Sequence, residues 1–427
     1  MVYGPLVCLI IRTLYTMKKL LTYTALATVM ATLNANAAGF HLREQSGAAL
    51  GNAFAGATAG AENNSYAYFN VAGLTRQKGT QINVGGTYIA PEASASNIKG
   101  NIGETGDVHN IVRAAIAPNG TISHQLNDDI TIGLGLNVPF GMVTKYNSNW
   151  AGASHGVTSK VTVVTTTPMI AYKATDKLSL GFGLPIEYIK ARLTSTPYGA
   201  IDTAITGDTL DIGYQLGAMY EFNDKTRIGL GYRSEMKHKI KGEIESKSDA
   251  SLLFNQDVNA DLDLPAMFSA GVYHEVNDKW SLMAEYQRVM WSSFDRLDIA
   301  GDTDNPNGKY ISRTYENWRD TNFYALGASY KIDHQWTARF GLAYDEAAVK
   351  LSDRTPRIPD SNRIWYSFGL GYQYNENLSF DMAFTYIDAK KARVDTKATQ
   401  NTGSYPDFSA DYENSVKMWG LSLNYKF

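Results

Sequence analysis

The chain has 427 residues, 44% of them hydrophobic and 19% charged, and a formal net charge of -3. No block of like charge points to nucleic acid, and no run reaches the roughly 18 apolar residues of a membrane-spanning helix. An excess of 27 Tyr and 37 Gly beside a single Cys suits instead a strand-rich barrel with aromatic girdles.

In chain order, Met17-Lys18-Lys19 opens a basic segment, Leu20 to Leu33 is apolar, and Ala35-Asn36-Ala37 is a small-x-small cleavage site. Residues 1–37 therefore read as a secretory signal, with 1–16 as translated upstream sequence. Cys8 falls in that extension, so the mature chain is expected to carry no thiol or disulfide, and neither a cofactor nor a metal site is expected. Residues 38–79 are rich in Gly, Ala, Ser and Asn, with Phe40, Leu42, Leu50, Phe54, Tyr66, Phe69 and Leu74 interspersed. Such a stretch is either a periplasmic tail or a plug. The apolar residues favour a plug packed inside a barrel formed by 80–427.

From there, polar triplets alternate with longer segments: Asn127-Asp128-Asp129, Thr175-Asp176-Lys177, Asn223-Asp224-Lys225, Asn277-Asp278-Lys279, Asp333-His334-Gln335 and Asn375-Glu376-Asn377. Asn and Asp tolerate left-handed backbone and bond their own main chain, so these are tight hairpin turns. Seven longer polar stretches, around 91–110, 141–157, 194–208, 242–260, 298–318, 352–362 and 395–411, lie between them. Thirteen connections join fourteen strands, short turns on one rim and long loops on the other, as in outer-membrane barrels. The period is two: Ile130, Ile132, Leu134, Leu136 and Val138 alternate with small or polar residues, as do Ile364, Tyr366, Phe368, Leu370 and Tyr372. A soluble sandwich would share that period. Strands of ten or more residues continuing to Trp419, Leu421, Leu423, Tyr425 and Phe427 favour a fourteen-stranded antiparallel transmembrane β-barrel, plugged by an N-terminal hatch. The terminal aromatic is similar to the recognition signal of proteins inserted by the barrel assembly machinery, an expected partner together with outer-membrane lipid and lipopolysaccharide. The basic cluster Lys237, His238, Lys239 and Lys241 reads either as a solvated face or as a site for lipopolysaccharide phosphates or anionic ligand.

The segment from Ala38-Gly39-Phe40 through Ser46, Gly51 and Ala55-Gly56 to Asn70-Val71-Ala72-Gly73-Leu74 resembles the hatch of the outer-membrane long-chain fatty-acid transporters of the FadL type, a family that also includes transporters of aromatic hydrocarbons. The resemblance continues through Pro139-Phe140-Gly141, Trp150-Ala151-Gly152, Tyr232-Arg233-Ser234-Glu235, Trp291-Ser292-Ser293-Phe294 and Pro359-Asp360 with Arg363 and Trp365. Where that hatch usually has Asn-Pro-Ala, this chain has Asn70-Val71-Ala72, without the proline's fixed angle.

The resemblance implies uptake of a long-chain fatty acid or similar hydrophobic molecule by a monomer. The route would run from loop capture to a barrel pocket and then sideways through a gap at a kinked third strand. Val138, Pro139 and Gly141 are candidates for that opening, since proline cannot donate to a ladder; otherwise Pro139 merely ends the strand. A fatty acid's carboxylate wants a guanidinium fork. Arg363, with Trp365 on the same face, is the first candidate, Arg319 the second, and Arg313 and Arg192 the reserves. The competing reading is a lumenal ion pair with Asp345, Asp381, Glu187 or Glu235, inward on the same parity. Phe40 and Phe140 are candidates for the apolar wall. An alkane or aromatic-hydrocarbon importer, a porin and an adhesin are the alternatives. An enzyme is not expected, because the seven histidines fall in the hatch, loops, turns or strand ends, with no G-x-S-x-G setting.

Overall fold

The computed structural model describes residues 39–248, 251–301, 311–396 and 406–427; the expected signal segment lies outside them. Each of the six triplets folds as its chemistry dictates. Asn127 Oδ1 accepts from the Asp129 and Ile130 amides at 3.0 and 2.9 Å, and Asn223, Asn277, Asp333 and Asn375 repeat the geometry, as does the Thr175 hydroxyl. These caps hold fourteen antiparallel strands among the described residues. They are β1 Thr80–Gly100, β2 Ala115–Gln125, β3 Ile130–Asn137 continued by Gly141–Lys145, β4 Thr158–Lys173, β5 Leu178–Gly183 and Ile186–Ser195, β6 Asp202–Ile212 and Gln215–Asn223, and β7 Thr226–Arg233 and Met236–Ser248. The second half comprises β8 Ser251–Leu264 and Met267–Glu275, β9 Trp280–Val289 and Arg296–Gly301, β10 Ser312–Tyr315 and Thr321–Lys331, β11 Trp336–Asp345, β12 Arg363–Gln373, β13 Leu378–Ala389 and Ala392–Asp395, and β14 Phe408–Lys426. Pairing of β1 with β14, from Gln81↔Lys426 to Gly100↔Phe408, closes the barrel.

Outside, Leu326, Phe340, Leu342, Tyr366, Phe368, Trp419 and Leu421 are exposed side chains on a closed wall, a lipid-facing band. Tyrosines and tryptophans mark both margins. Trp280 and Tyr330 (4.7 Å) and Trp336 and Tyr372 (4.5 Å) pair near the short turns, while Tyr286 and Tyr324 (5.4 Å) and Tyr214 and Tyr232 (5.9 Å) pair on the loop side. The stretches 194–208 and 242–260, read from sequence as loops, are instead largely strand: Met236–Ser248 pairs with Ser251–Leu264, so the wall stands well above the membrane.

Strands β3 and β5 to β9 are each broken near one level, and several breaks slip the phase by one residue. Below the break in β7, Arg227 and Arg233 are buried; above it, Met236, His238 and Ile240 are buried while Lys237, Lys239 and Lys241 face out. A single parity for the whole strand, which placed Glu235 inward, therefore fails: Glu235 is partly exposed and lies 3.8 Å from Lys237. His238 is not solvated either, because its two ring nitrogens meet Glu187 at 3.0 Å and Asp211 at 2.8 Å.

Residues 39–79 lie inside the barrel as short turns: α1 Gly47–Gly51, capped by Ser46, α2 Ala57–Gly60, and two 3-10 segments, Asn64–Tyr68 and Val71–Arg76. Asn70 caps the last of these, accepting from the Ala72 amide at 3.0 Å and donating to Thr58 O and Ala218 O. The cap thus ties hatch to wall without needing a proline at Val71, which is fully buried together with Ala72. The wall opposite this path is glycine. A Cβ on Gly341 would sit 2.1 Å from the Asn52 carbonyl carbon, on Gly229 2.0 Å from Thr58 O, and on Gly181 2.3 Å from the Ala72 nitrogen. Mid-strand glycines facing inward are where another backbone approaches closely.

Candidate functional site

Above the breaks the inward positions of β4 to β9 are mostly apolar, and they line a narrow, partly open cavity. Val161, Ile240, Leu262 and Ile299 form its wall, and Phe40 and Met142 line it from the hatch and from β3. Phe40 owes its position to a cage of rings: Trp291 at 5.1 Å, Phe140 at 5.8 Å, Trp318 at 5.9 Å and Phe294 at 6.2 Å, mostly edge-on. Each such pair adds about 0.5–1.5 kcal/mol beyond area burial. Gly39 enables the turn into this cage, with φ +62° and room for no Cβ against Trp318.

Charge reaches the cavity at Glu316 and Arg357. Arg357 donates to Thr158 O and to Ser159 Oγ at 3.0 Å. Glu316, in the extracellular segment between the halves of β10, is pushed up to about 7 by burial, against the opposing pull of the Trp318 indole N–H and of Arg357.

Next to the cavity the wall is incomplete. Strand β3 stops at Asn137 and resumes at Gly141, still paired with β4 but one residue out of step, because Val138, Pro139 and Phe140 stand opposite Val163 and Val164. Across from this bulge, Ala115–Asn119 of β2 pair with β1 and have no ladder partner on β3 among the described residues. One of them is Pro118, which has no N–H to offer. The hatch supplies the missing partners. Leu42 N donates to Pro139 O at 2.7 Å, Gly141 N donates to Phe40 O at 2.9 Å, and His41 stands opposite Phe140 as in a short antiparallel ladder. The Gln45 amide then serves Val138 as a neighbouring peptide would: its Nε2 donates to Val138 O at 2.7 Å and its Oε1 accepts from Val138 N at 3.2 Å.

The arginines singled out by sequence separate here. Arg363 is buried and bonded to Asp360 at 2.5 Å, and both line a small neighbouring pocket rather than the apolar cavity. Asp360 also accepts from Gly39 N and Ala348 N, so this pair fixes the start of the hatch. Arg319 is exposed and donates to Ala347 O. Arg313 is forked onto Asp298 at 2.7 and 2.9 Å, and exposed Arg192 donates to Thr206 Oγ1. Trp365 is fully buried against Phe54 and Phe323, in the barrel core. Sequence reasoning missed Arg357, hidden in a loop, and Gln45, which no pattern marks. It also missed the even-numbered wall residues Ile240 and Leu262, whose phase signal was the charged row at the odd positions beside them, Lys239 and Lys241 for the first and Asp261 and Asp263 for the second.

Comparison with known proteins places this geometry. The family described as outer membrane protein transport protein (OMPP1/FadL/TodX) matches residues 28–427. A 47 kDa outer membrane protein of Pasteurella multocida is 30% identical over 95% of this chain and 98% of its own length. A long-chain fatty acid transport protein of Escherichia coli O6:H1 is 28% identical over 96% and 99%. Among solved structures, a Pseudomonas aeruginosa FadL homologue superposes with a TM-score of 0.83 at 23% identity, over 91% of this chain and all of that one.

Proposed function

The chain belongs to the outer membrane transport protein family OMPP1/FadL/TodX, and from that premise we propose that it takes up long-chain fatty acids or similarly hydrophobic molecules through the cavity and the β3 break. The observation that carries this reading is the position of an apolar cavity beside a stretch of wall closed only by the hatch. Burial contributes about 0.8 kcal/mol per CH₂, so the cavity holds an alkyl chain without any charged contact. Extracellular loops, with exposed Arg319 at the surface, capture the molecule; Phe40 and Phe294 line the cavity floor, backed by Phe140, Trp291 and Trp318. Release runs sideways past Val138, Pro139 and Gly141 when residues 39–45 withdraw, with Asn70, Val71 and Ala72 anchoring the rest of the hatch. Of the cations, Arg357 lies nearest to a head group in the cavity, and Arg363 positions the hatch through Asp360.

A hydrocarbon cargo is the second reading, favoured by the near absence of polar groups from the cavity wall. The protein works without catalysis, as a monomer. Its Phe427 end engages the barrel assembly machinery, and the outward row Lys237, Lys239 and Lys241, on the extracellular side of Tyr232, meets lipopolysaccharide phosphates. Uptake of labelled oleate and of labelled toluene by cells carrying the wild type or Ala260→Trp, which fills the cavity, separates the cases. Loss of both uptakes supports the cavity route, loss of one identifies the cargo, and retention of both refutes the route.

A further inference from the structure

Five arginines are more than nine-tenths buried among the described residues: Arg43, Arg227, Arg233, Arg339 and Arg363. Four have an anion or a carbonyl. Arg43 meets Asp345 at 3.2 Å, Arg227 donates to Ala59 O at 2.7 Å, Arg339 bridges Glu62 and Asp381 at 2.9 Å each, and Arg363 holds Asp360. Arg233 differs. Neither Nη1 nor Nη2 has a hydrogen-bond partner; its guanidinium lies 4.9 Å from the centre of the Tyr68 ring, whose hydroxyl is also unpartnered. The two side chains line one small pocket with Gln215, Met267, Ser269 and Gln287. Met267 belongs as well to the apolar cluster of Phe40, Met142 and Val161, so apolar packing is continuous from the main cavity to this pocket.

A buried charge without a counter-ion costs several kcal/mol, and an unpartnered guanidinium that shares a pocket with an unpartnered hydroxyl is a donor set for a carboxylate. We propose that Arg233 and Tyr68 form an inner anion subsite, which takes the carboxylate of an amphiphilic acid once it has passed the main cavity. The subsite rests on the reading of that cavity as a hydrophobic-ligand site, and it adds a preference for acids over hydrocarbons and alcohols. Tyr68 comes from the hatch and Arg233 from β7, so the subsite exists only while the hatch is seated.

The test uses the full protein in lipid nanodiscs. Binding is read by quenching of tryptophan fluorescence with dibrominated stearate and with dibrominated stearyl alcohol, for wild type, Arg233→Gln and Arg233→Lys. Arg233→Gln is expected to weaken stearate binding about tenfold and to leave the alcohol unchanged, while Arg233→Lys restores most of the difference. The thermal midpoint of Arg233→Gln does not fall, because an uncompensated charge has been removed; a purely structural cation–π strut predicts a fall. Wild type that binds both probes, with stearate binding unaltered in Arg233→Gln, overturns the subsite alone. Wild type that binds neither overturns the cavity reading and the subsite with it. Unchanged alcohol binding reports that each variant is folded.

Discussion

Replacing Gln45 with Leu tests whether the hatch closes the wall by chemistry or merely by bulk. The Gln45 amide satisfies both the N–H and the C=O of Val138, and it accepts from Asn137 Nδ2 at 3.2 Å. Leucine has similar bulk but no polar atoms, so Val138, only 1% exposed, loses both backbone partners. Each buried unsatisfied group costs about 1–3 kcal/mol, which puts the destabilisation of the seated hatch at about 2–6 kcal/mol. The lower figure alone raises the unseated population about thirtyfold. The barrel ladder is untouched, so the unfolding midpoint of the whole barrel stays where it was. Hydrogen exchange of the Leu42 and Gly141 amides, which bond across the hatch–β3 contact, reads that population site by site. Exchange accelerated at least tenfold at both amides is the expected result. Equal exchange in wild type and variant would show that the hatch is held by packing elsewhere, and the argument from Val138 would fall.

Other outcomes follow from the same geometry. His41 and Phe140 form the close, non-hydrogen-bonded pair of the short ladder, a spacing that accepts a disulfide. A His41→Cys/Phe140→Cys protein should lose uptake when oxidised and regain it with reductant, and uptake indifferent to redox state would exclude hatch withdrawal. Gly341→Val forces a Cβ into Asn52; the hatch should become cleavable at Arg43 by trypsin, while the barrel keeps its heat-modifiable gel mobility. Glu316 has its folded pKa raised from 4.5 to about 7. The folded protein therefore holds a proton the unfolded chain has lost, and this group's stability contribution disappears as pH climbs through that window. The same ionisation places a negative charge at the cavity, so binding of an alkyl sulfonate, anionic throughout, should weaken between pH 6 and 8. In Glu316→Gln the profile should be flat, and an identical slope in both proteins would remove Glu316 from the cavity's electrostatics.

Much of this architecture was legible because barrels write it locally. The six turns needed only an Asn, Asp or Thr at the first position to cap two amides, and the lipid face needed only period two. What was not legible depends on slips and on distant partners. A one-residue bulge inverts the meaning of parity, so Ile240 and Leu262 changed faces while Leu230 and Val272 did not. The tie between Arg363 and Asp360 spans three residues, yet it is fixed by Gly39, more than three hundred residues upstream. Gln45 carries no sequence signal because its role exists only where β3 has lost a neighbour.

The glycine path along the inner wall bears on how the molecule is assembled. At Gly181, Gly229 and Gly341 the barrel presents main chain to the hatch, between inward side chains such as Arg227, Glu285 and Arg339 that bond to it. A core knitted from interlocking side chains must form together with its container. Close main-chain contacts of this kind ask for no such order: the cylinder closes on its own hydrogen bonds, and the N-terminal thread can be drawn in afterwards from the periplasm. Withdrawal of the hatch also strips Arg227, Glu285 and Arg339 of their partners Ala59, Thr58 and Glu62, so a vacated path is a polar furrow that water fills.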